Sequence, residues 1–303
     1  MKDLLNKRLV LVSGKGGVGK SSLTASLAHV AHQAGKRVLV VEIGDGSEDY
    51  SPVAQLLGRP RLPMSAEDLG AGIWGSQLLP SVGLELFLTS VLKVAGLAKT
   101  AMGFEPLRRL FMVAPSFREM AIFYHLVSYL RAARADGSPL YDLVLVDMPA
   151  TGHTLALTGL PDVVLRVVTR GPIADAIREG QAYLNDPARV AACVVTLPEA
   201  FPLSEALELL EGLRATSMPC GGVFINRMPN DAFSADERRA IEEFVGSQSF
   251  VGLDAFRLSR SARDAVAMAM GTAQVPSLTL PEFDQSGTEL VTCLVSALEP
   301  QFA

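Results

Sequence analysis

A glycine-rich segment, GKGGVGKSS at residues 14–22, organises the N-terminal part of the sequence. It follows the apolar run LVLVSG, which is typical of a buried strand, and it precedes apolar residues at helical spacing over residues 23–28. Glycines let backbone N–H groups converge on an anion at the point where a helix begins. Because the spacing GxxxxGK[ST] is complete, the segment predicts a strand, a phosphate loop and a helix in succession.

The side chains of this loop suit a nucleoside triphosphate. Lys20 can reach the β- and γ-phosphate oxygens and is predicted to be catalytic, and the Ser21 hydroxyl can ligate Mg²⁺. We predict that the whole loop binds Mg·ATP: Gly14, Lys15, Gly16, Gly17, Val18, Gly19, Lys20, Ser21 and Ser22.

Lys15 places a second lysine inside the loop and makes it the variant KGGxGK[ST]. In proteins of that variant class, the extra lysine crosses a dimer interface to the other subunit's nucleotide and supplies charge as an arginine finger does. Lys15 is therefore predicted to be catalytic, and the chain is predicted to form a face-to-face dimer.

Charge and hydropathy limit the classes of partner. The net charge is −5 at pH 7 and the pI is about 5.5, so no basic surface for nucleic acid is expected. No run reaches the roughly 20 continuous apolar residues that span a bilayer, so we expect no direct membrane insertion. Three single cysteines in apolar contexts and the lack of a cleavable N-terminal apolar segment predict a cytoplasmic location: Cys193, Cys220 and Cys293.

Apolar runs alternate with helical periodicity along the chain. The runs are LVLVSG, RVLVVEIG, LYDLVLVDMP, VVLRVVTR, AACVVTLPE and GGVFINRM. This alternation predicts an α/β fold with a doubly wound, mostly parallel sheet, as in P-loop nucleoside triphosphatases. At 303 residues the chain fits a single P-loop domain over residues 1–303.

Residues 60–133 depart from the alternation and predict a helical insertion subdomain. No β run is evident in this range, and its apolar spacing is helical. Met102 and Met112 lie near three further large apolar side chains: Phe104, Leu110 and Phe111. Such a surface suits an irregular hydrophobic partner, but the same pattern also fits ordinary helix packing, and both interpretations stay open.

Asp147 closes the third apolar run and should lie at the carboxyl edge of the sheet, where open α/β sheets bind ligands. The phosphate loop, VDMPATGHTLALTGLP and VVTLPEAFPLSEALELLEGLR together resemble the arsenite-pump ATPase (ArsA) family, whose relatives include the tail-anchored-protein targeting ATPase. The resemblance implies that Asp147 is a switch II aspartate that helps to hold Mg²⁺ through water. It also implies a γ-phosphate-sensing segment: Thr151, Gly152 and His153.

The same resemblance assigns the adenine site, and it shows that this chain differs from the family in switch I. Asn226 in GGVFINRM and Pro281 in LTLPEF resemble the family's adenine-contacting residues. The family's switch I aspartate, which positions the attacking water, falls on Gly44 in a gapless count. Asp45 follows one residue later and is predicted to be catalytic if the loop shifts by one position. Glu42 is a second carboxylate, within the preceding strand.

The resemblance implies an ATPase that switches between nucleotide states as a homodimer or as a heterodimer with a related ATPase. The implied partner is a protein client such as a hydrophobic membrane-protein segment. Two alternatives stay open: a positioning or regulatory ATPase like ParA or MinD, and a weakly active subunit of a heterodimer. The segment GTELVTCLVSALEPQFA has no lysine or arginine, which disfavours the first alternative.

Overall fold

The structure is a computed structural model, and it describes residues 1–303 apart from 2, 45–49, 71, 93–114, 150–164, 166–168, 171, 231–232, 248–253 and 303. The described strands are β1 (Leu9–Gly14), β2 (Val38–Ile43), β3 (Glu67–Asp68), β4 (Ile73–Leu78), β5 (Leu143–Asp147), β6 (Val190–Thr196), β7 (Cys220–Met228) and β8 (Ser277–Pro281). The described helices are α1 (Lys20–Gln33), α2 (Pro52–Leu56), α3 (Pro80–Leu92), α4 (Pro115–Arg131), α5 (Pro172–Leu184), α6 (Ala200–Ala215), α7 (Ala235–Ser247), α8 (Asp254–Ala273) and α9 (Gly287–Phe302).

The described strands form one sheet in the order β3-β4-β2-β5-β1-β6-β7-β8. Neighbouring strands from β4 through β8 are parallel, and only the short pair of β3 and β4 is antiparallel within the described residues. The predicted mostly parallel α/β fold is therefore confirmed. β1, which leads into the phosphate loop, lies inside the sheet between β5 and β6.

Helices cover both faces of the sheet, as the continuous apolar runs predict. Val10 and Val12 pack into a cluster with α1 and α9, while Leu9 and Leu11 pack into a second cluster with α4 and α6. Successive side chains of a strand point to opposite faces, so a run with no polar position needs apolar partners on both sides. Each residue of β1 is buried.

Five of the six predicted strand segments are confirmed as strands, and most of the sixth, VVLRVVTR, lies outside the described residues. The prediction that residues 60–133 contain no strand is wrong, because β3 and β4 lie there and β4 pairs with β2. The run IWGSQL of β4 includes Gly75, Ser76 and Gln77. These residues interrupt the apolar pattern from which the other strands were predicted. The side chains of Ser76 and Gln77 are buried by tertiary contacts, a context that periodicity does not report.

Beyond β4, the described part of that range is helical. α3 and α4 pack against each other, and Phe87 of α3 meets Tyr124 of α4 edge to face at 5.0 Å. None of the described helices is both long enough and apolar enough to cross a membrane. Cys193 is buried in β6, as predicted for a core cysteine, whereas Cys220 and Cys293 are half-buried.

Candidate functional site

The phosphate loop leaves β1 and enters α1 through backbone conformations that require glycine. Gly17 and Gly19 have φ values of 82° and 96°, which is the left-handed region that other residues rarely adopt. A Cβ atom at Gly19 would come within 2.2 Å of Asn226 Nδ2. The loop therefore tolerates no side chain at Gly19, both because of its backbone conformation and because β7 lies against it.

Asn226, predicted to contact adenine, lies at that contact. Its side-chain Nδ2 donates a hydrogen bond of 2.9 Å to the carbonyl oxygen of Val18, and only 7% of the residue is exposed. Pro281 is the last residue of β8 and is paired with Met228 of β7, so both predicted adenine residues lie on neighbouring strands. The bond from Asn226 to the loop was not predicted from the sequence.

Lys20 begins α1 and is directed back into the loop. Its Nζ donates to the carbonyl oxygen of Lys15 at 2.8 Å. Burial lowers the pKa of the Lys20 ammonium, and the negative charge of Asp147 opposes that effect. A half-buried ammonium that bonds to one backbone carbonyl retains hydrogen-bond donors for a phosphate oxygen.

Asp147, at the carboxyl end of β5, meets the first turn of α1. Its Oδ2 accepts a hydrogen bond of 2.6 Å from Ser21 Oγ, and its Oδ1 accepts one of 3.4 Å from Thr24 Oγ1. Burial raises the pKa of Asp147 from 3.8 to about 6 in spite of these bonds and of nearby Lys20. The hydroxyl and carboxylate oxygens are the hard ligands that Mg²⁺ prefers, so the residues present fit this ion.

Two further polar residues share the strand register with Asp147. Glu42 of β2 is paired with Asp147, and Gln77 of β4 is paired with Glu42. Glu42 Oε2 accepts a hydrogen bond of 2.7 Å from Ser51 Oγ, at the start of α2. The position of Glu42 is therefore fixed by α2, and Gln77 was not among the predicted site residues.

Gln77 fills the space beside Gly44. A Cβ atom at Gly44 would lie 2.7 Å from Gln77 Oε1, and this oxygen is buried without a hydrogen-bond partner. Gln77 Nε2 donates to the carbonyl oxygen of Leu62 at 3.2 Å, which holds the amide in place. An aspartate at position 44 would displace this amide, which accounts physically for glycine at that position.

Lys15 is directed away from its own loop and toward α6. Its Nζ forms an ion pair of 2.5 Å with Glu205 Oε1 and lies 4.2 Å from the centroid of the Phe201 ring. Neither α6 residue was predicted from the sequence. No motif marks them, because they lie more than 180 positions from Lys15 in the chain.

Several predicted residues lie outside the described residues. They are Asp45 of the predicted switch I, Thr151, Gly152 and His153, and the apolar residues Met102, Phe104, Leu110, Phe111 and Met112. At the carboxyl edge of the sheet, the structure brings together four of the described predicted side chains, Lys20, Ser21, Asp147 and Asn226. The side chain of Lys15 is directed to α6 instead.

Comparison with known proteins agrees with this geometry. The family described as the CobQ/CobB/MinD/ParA nucleotide binding domain matches residues 9–267. The chain is 30% identical over 302 residues to ATPase BagA of Mycobacterium tuberculosis (strain ATCC 25618 / H37Rv), covering 90% of this chain and 87% of that protein.

Relatives with lower identity carry the names that the sequence resemblance suggested. The chain is 25% identical over 277 residues to an arsenical pump-driving ATPase of Escherichia coli, covering 87% of this chain and 42% of that protein. It is 24% identical over 223 residues to ATPase get3 of Botryotinia fuckeliana (strain B05.10), covering 73% of this chain and 61% of that protein. The predicted resemblance to ArsA- and Get-type ATPases is thus confirmed, and the chain belongs to the CobQ/CobB/MinD/ParA family of P-loop nucleotide-binding domains.

Proposed function

We propose that this protein hydrolyses ATP, with Mg²⁺ as cofactor, and that two ATPase chains close on each other when ATP binds. The observation that carries the proposal is the contact of Ser21 Oγ with Asp147 Oδ2 at 2.6 Å, beside Lys20 at the start of α1. This places a hydroxyl, a carboxylate and an ammonium around the end of a phosphate loop. Each is a group that a metal-bound triphosphate requires.

The chain's own residues divide the work of binding and hydrolysis. The backbone N–H groups of residues 14–22 hold the phosphates, and Lys20 moves from the carbonyl of Lys15 to the phosphate oxygens. The Ser21 hydroxyl and the Asp147 carboxylate would hold Mg²⁺. When bound, the ion neutralises negative charge on the transferring phosphoryl group. Asp45 orients the attacking water.

Asn226 and Pro281 bind the base in this proposal. Asn226 Nδ2 is already bonded to Val18, while its Oδ1 has no partner among the described residues. That acceptor oxygen suits the exocyclic amino group of adenine, which guanine lacks at the same position. Pro281, at the end of the neighbouring β8, flanks the base.

The pairing of two chains rests on Lys15. Its side chain is 43% exposed and is directed away from its own phosphate loop, so a second chain can receive it. The second chain is another copy or a related ATPase. The names of the relatives, an arsenical pump-driving ATPase and ATPase get3, support an ATP-driven switch that acts on a partner. We propose a protein client with a hydrophobic segment, bound by the helical part of residues 60–133, in the cytoplasm.

The test combines phosphate release with light-scattering mass in Mg·ATP, for the wild type and three variants. Lys20→Ala should abolish binding and turnover. Lys15→Ala and Asp45→Asn should bind ATP but lose turnover, and Lys15→Ala should stay monomeric. Lys36→Ala is the matched control, because Lys36 follows the far end of α1 and bonds to Asn6.

A wild-type chain that binds ATP, stays monomeric and never turns over would contradict the proposal for this chain alone. Turnover only after addition of a related ATPase would support the heterodimer. Turnover by a monomer at the wild-type rate in Lys15→Ala would remove Lys15 from the mechanism.

A further inference from the structure

Lys15 is held within its own chain by two residues of α6. Its ammonium pairs with Glu205 and stacks on the ring of Phe201, at the distances given above. Residues four apart in a helix lie on one face, so α6 presents Phe201 and Glu205 together toward the loop. The two contacts fix both the direction and the distance of the ammonium.

Glu205 is bonded to Lys15 through one of its two carboxylate oxygens. The carboxylate side chain is 24% exposed, and its second oxygen, Oε2, is buried without a hydrogen-bond partner. Among the described residues, Lys15 Nζ is the one donor bonded to this carboxylate. A carboxylate in a partly dehydrated position attracts a cation more strongly than a fully solvated one does. Glu205 therefore competes with a phosphate for the ammonium of Lys15.

The loop connects this contact to the nucleotide. The carbonyl of Lys15 accepts the hydrogen bond of Lys20, the residue expected to bind the phosphates. When Lys20 transfers to a phosphate oxygen, the backbone of Lys15 loses that bond. Nucleotide binding thus changes the backbone support of the residue whose side chain Glu205 holds.

We propose that Glu205 and Phe201 form a latch that keeps Lys15 in its own chain until a second nucleotide-bound chain offers a stronger anion. This inference rests on the proposed function, in which Lys15 crosses to the partner's phosphate. Pairing then requires that Lys15 break the ion pair with Glu205 and leave the Phe201 ring. The latch raises the concentration at which ATP-bound chains pair, and so opposes pairing by dilute chains.

The test measures the protein concentration at half dimerisation, by light scattering with Mg²⁺ and a non-hydrolysable ATP analogue. Glu205→Gln keeps the shape but removes the charge, and should lower this concentration by roughly two- to tenfold. Phe201→Leu should act in the same direction with a smaller change, because only the cation–π contact is lost. Glu208→Gln, an exposed glutamate on the same helix, is the matched control and should change nothing.

A second comparison separates the latch from a structural role of Glu205. In a Lys15→Ala background, which is expected to stay monomeric, Glu205→Gln should not restore pairing, since the latch acts only through Lys15. Pairing of the double variant would overturn the latch. So would unchanged or weaker pairing of Glu205→Gln in a wild-type background that does dimerise. If the wild type never dimerises, the proposed function fails, and the latch fails with it.

Discussion

Asp147 lies in an environment that opposes its own charge. It is 9% exposed, and burial raises its pKa to about 6 although two hydroxyls and a nearby lysine favour the charged form. The folded chain therefore binds this proton more tightly than the unfolded chain does. The contribution of Asp147 to stability falls as the pH rises from about 4 to about 6, by about 3 kcal/mol at most, and is constant above that range.

We therefore expect Asp147→Asn to be more stable than the wild type at pH 8 without nucleotide, by about 1–3 kcal/mol. The gain should be smaller at pH 5, where most of the wild-type carboxyl is protonated. Urea unfolding of both proteins at both pH values measures this difference in the free energy of unfolding. The same variant should lose affinity for Mg·ATP, because it lacks the carboxylate proposed to hold the ion.

Asp142, at the other end of β5, is the matched control. A hydrogen bond from Arg37 lowers the pKa of its carboxyl, so its stabilising contribution is present at both pH 5 and pH 8. Asp142→Asn should therefore be less stable than the wild type by a similar amount at both values. An equal gain for Asp147→Asn at pH 5 and pH 8 would contradict the buried-charge argument.

At the scale of elements, the loop between β1 and α1 contains three glycines that differ in how well each position would accommodate a Cβ atom. Gly16 has ordinary backbone angles and open space around a Cβ atom, whereas Gly17 has open space but a left-handed φ. Gly19 combines a left-handed φ with the close approach of Asn226. These positions separate backbone strain from steric overlap within one loop.

Alanine at each glycine should reduce nucleotide-free stability in the order Gly16, Gly17, Gly19. We expect less than about 0.5 kcal/mol for Gly16→Ala and about 1–2 kcal/mol for Gly17→Ala, from the cost of a left-handed residue with a Cβ atom. Gly19→Ala should lose more than either, because Asn226 must also give up its bond to Val18. Urea unfolding of the three variants tests the order; equal losses at Gly17 and Gly19 would show that Asn226 moves freely.

At the scale of the whole molecule, nucleotide binding should stabilise the entire sheet, because the loop joins β1 to α1 and contacts β7 through Asn226. Binding to the folded state alone adds about 2.7 kcal/mol when free nucleotide is 100 times Kd. Pairing of two chains adds a further term that grows with protein concentration.

The melting temperature in Mg·ATP should therefore rise with nucleotide and, for the wild type, with protein concentration. The melting temperature of Lys15→Ala should still rise with nucleotide but no longer with protein concentration. That of Lys20→Ala should rise with neither. Differential scanning calorimetry over a range of protein concentrations measures these dependences. A melting temperature independent of wild-type concentration would argue against pairing.

The sequence predicted the phosphate loop, the parallel sheet and the place of Asp147 at the carboxyl edge of that sheet, because these follow from consecutive residues and from the direction of parallel strands. It did not predict β4 within residues 60–133, since Gly75, Ser76 and Gln77 interrupt the apolar pattern. It also missed Glu205, Phe201 and the bond from Asn226 to Val18. Those contacts join segments about 190 to 210 residues apart in the chain.

The sequence by itself determined the chemistry of the loop, because glycine spacing and the identity of Lys20 and Ser21 act through local backbone geometry. Only the tertiary structure decided what surrounds that chemistry. It buried Asp147 enough to raise its pKa, set Gln77 against Gly44, and paired Lys15 with Glu205. Burial and long-range contacts depend on how helices and strands pack, and that packing arises only when distant parts of the chain meet.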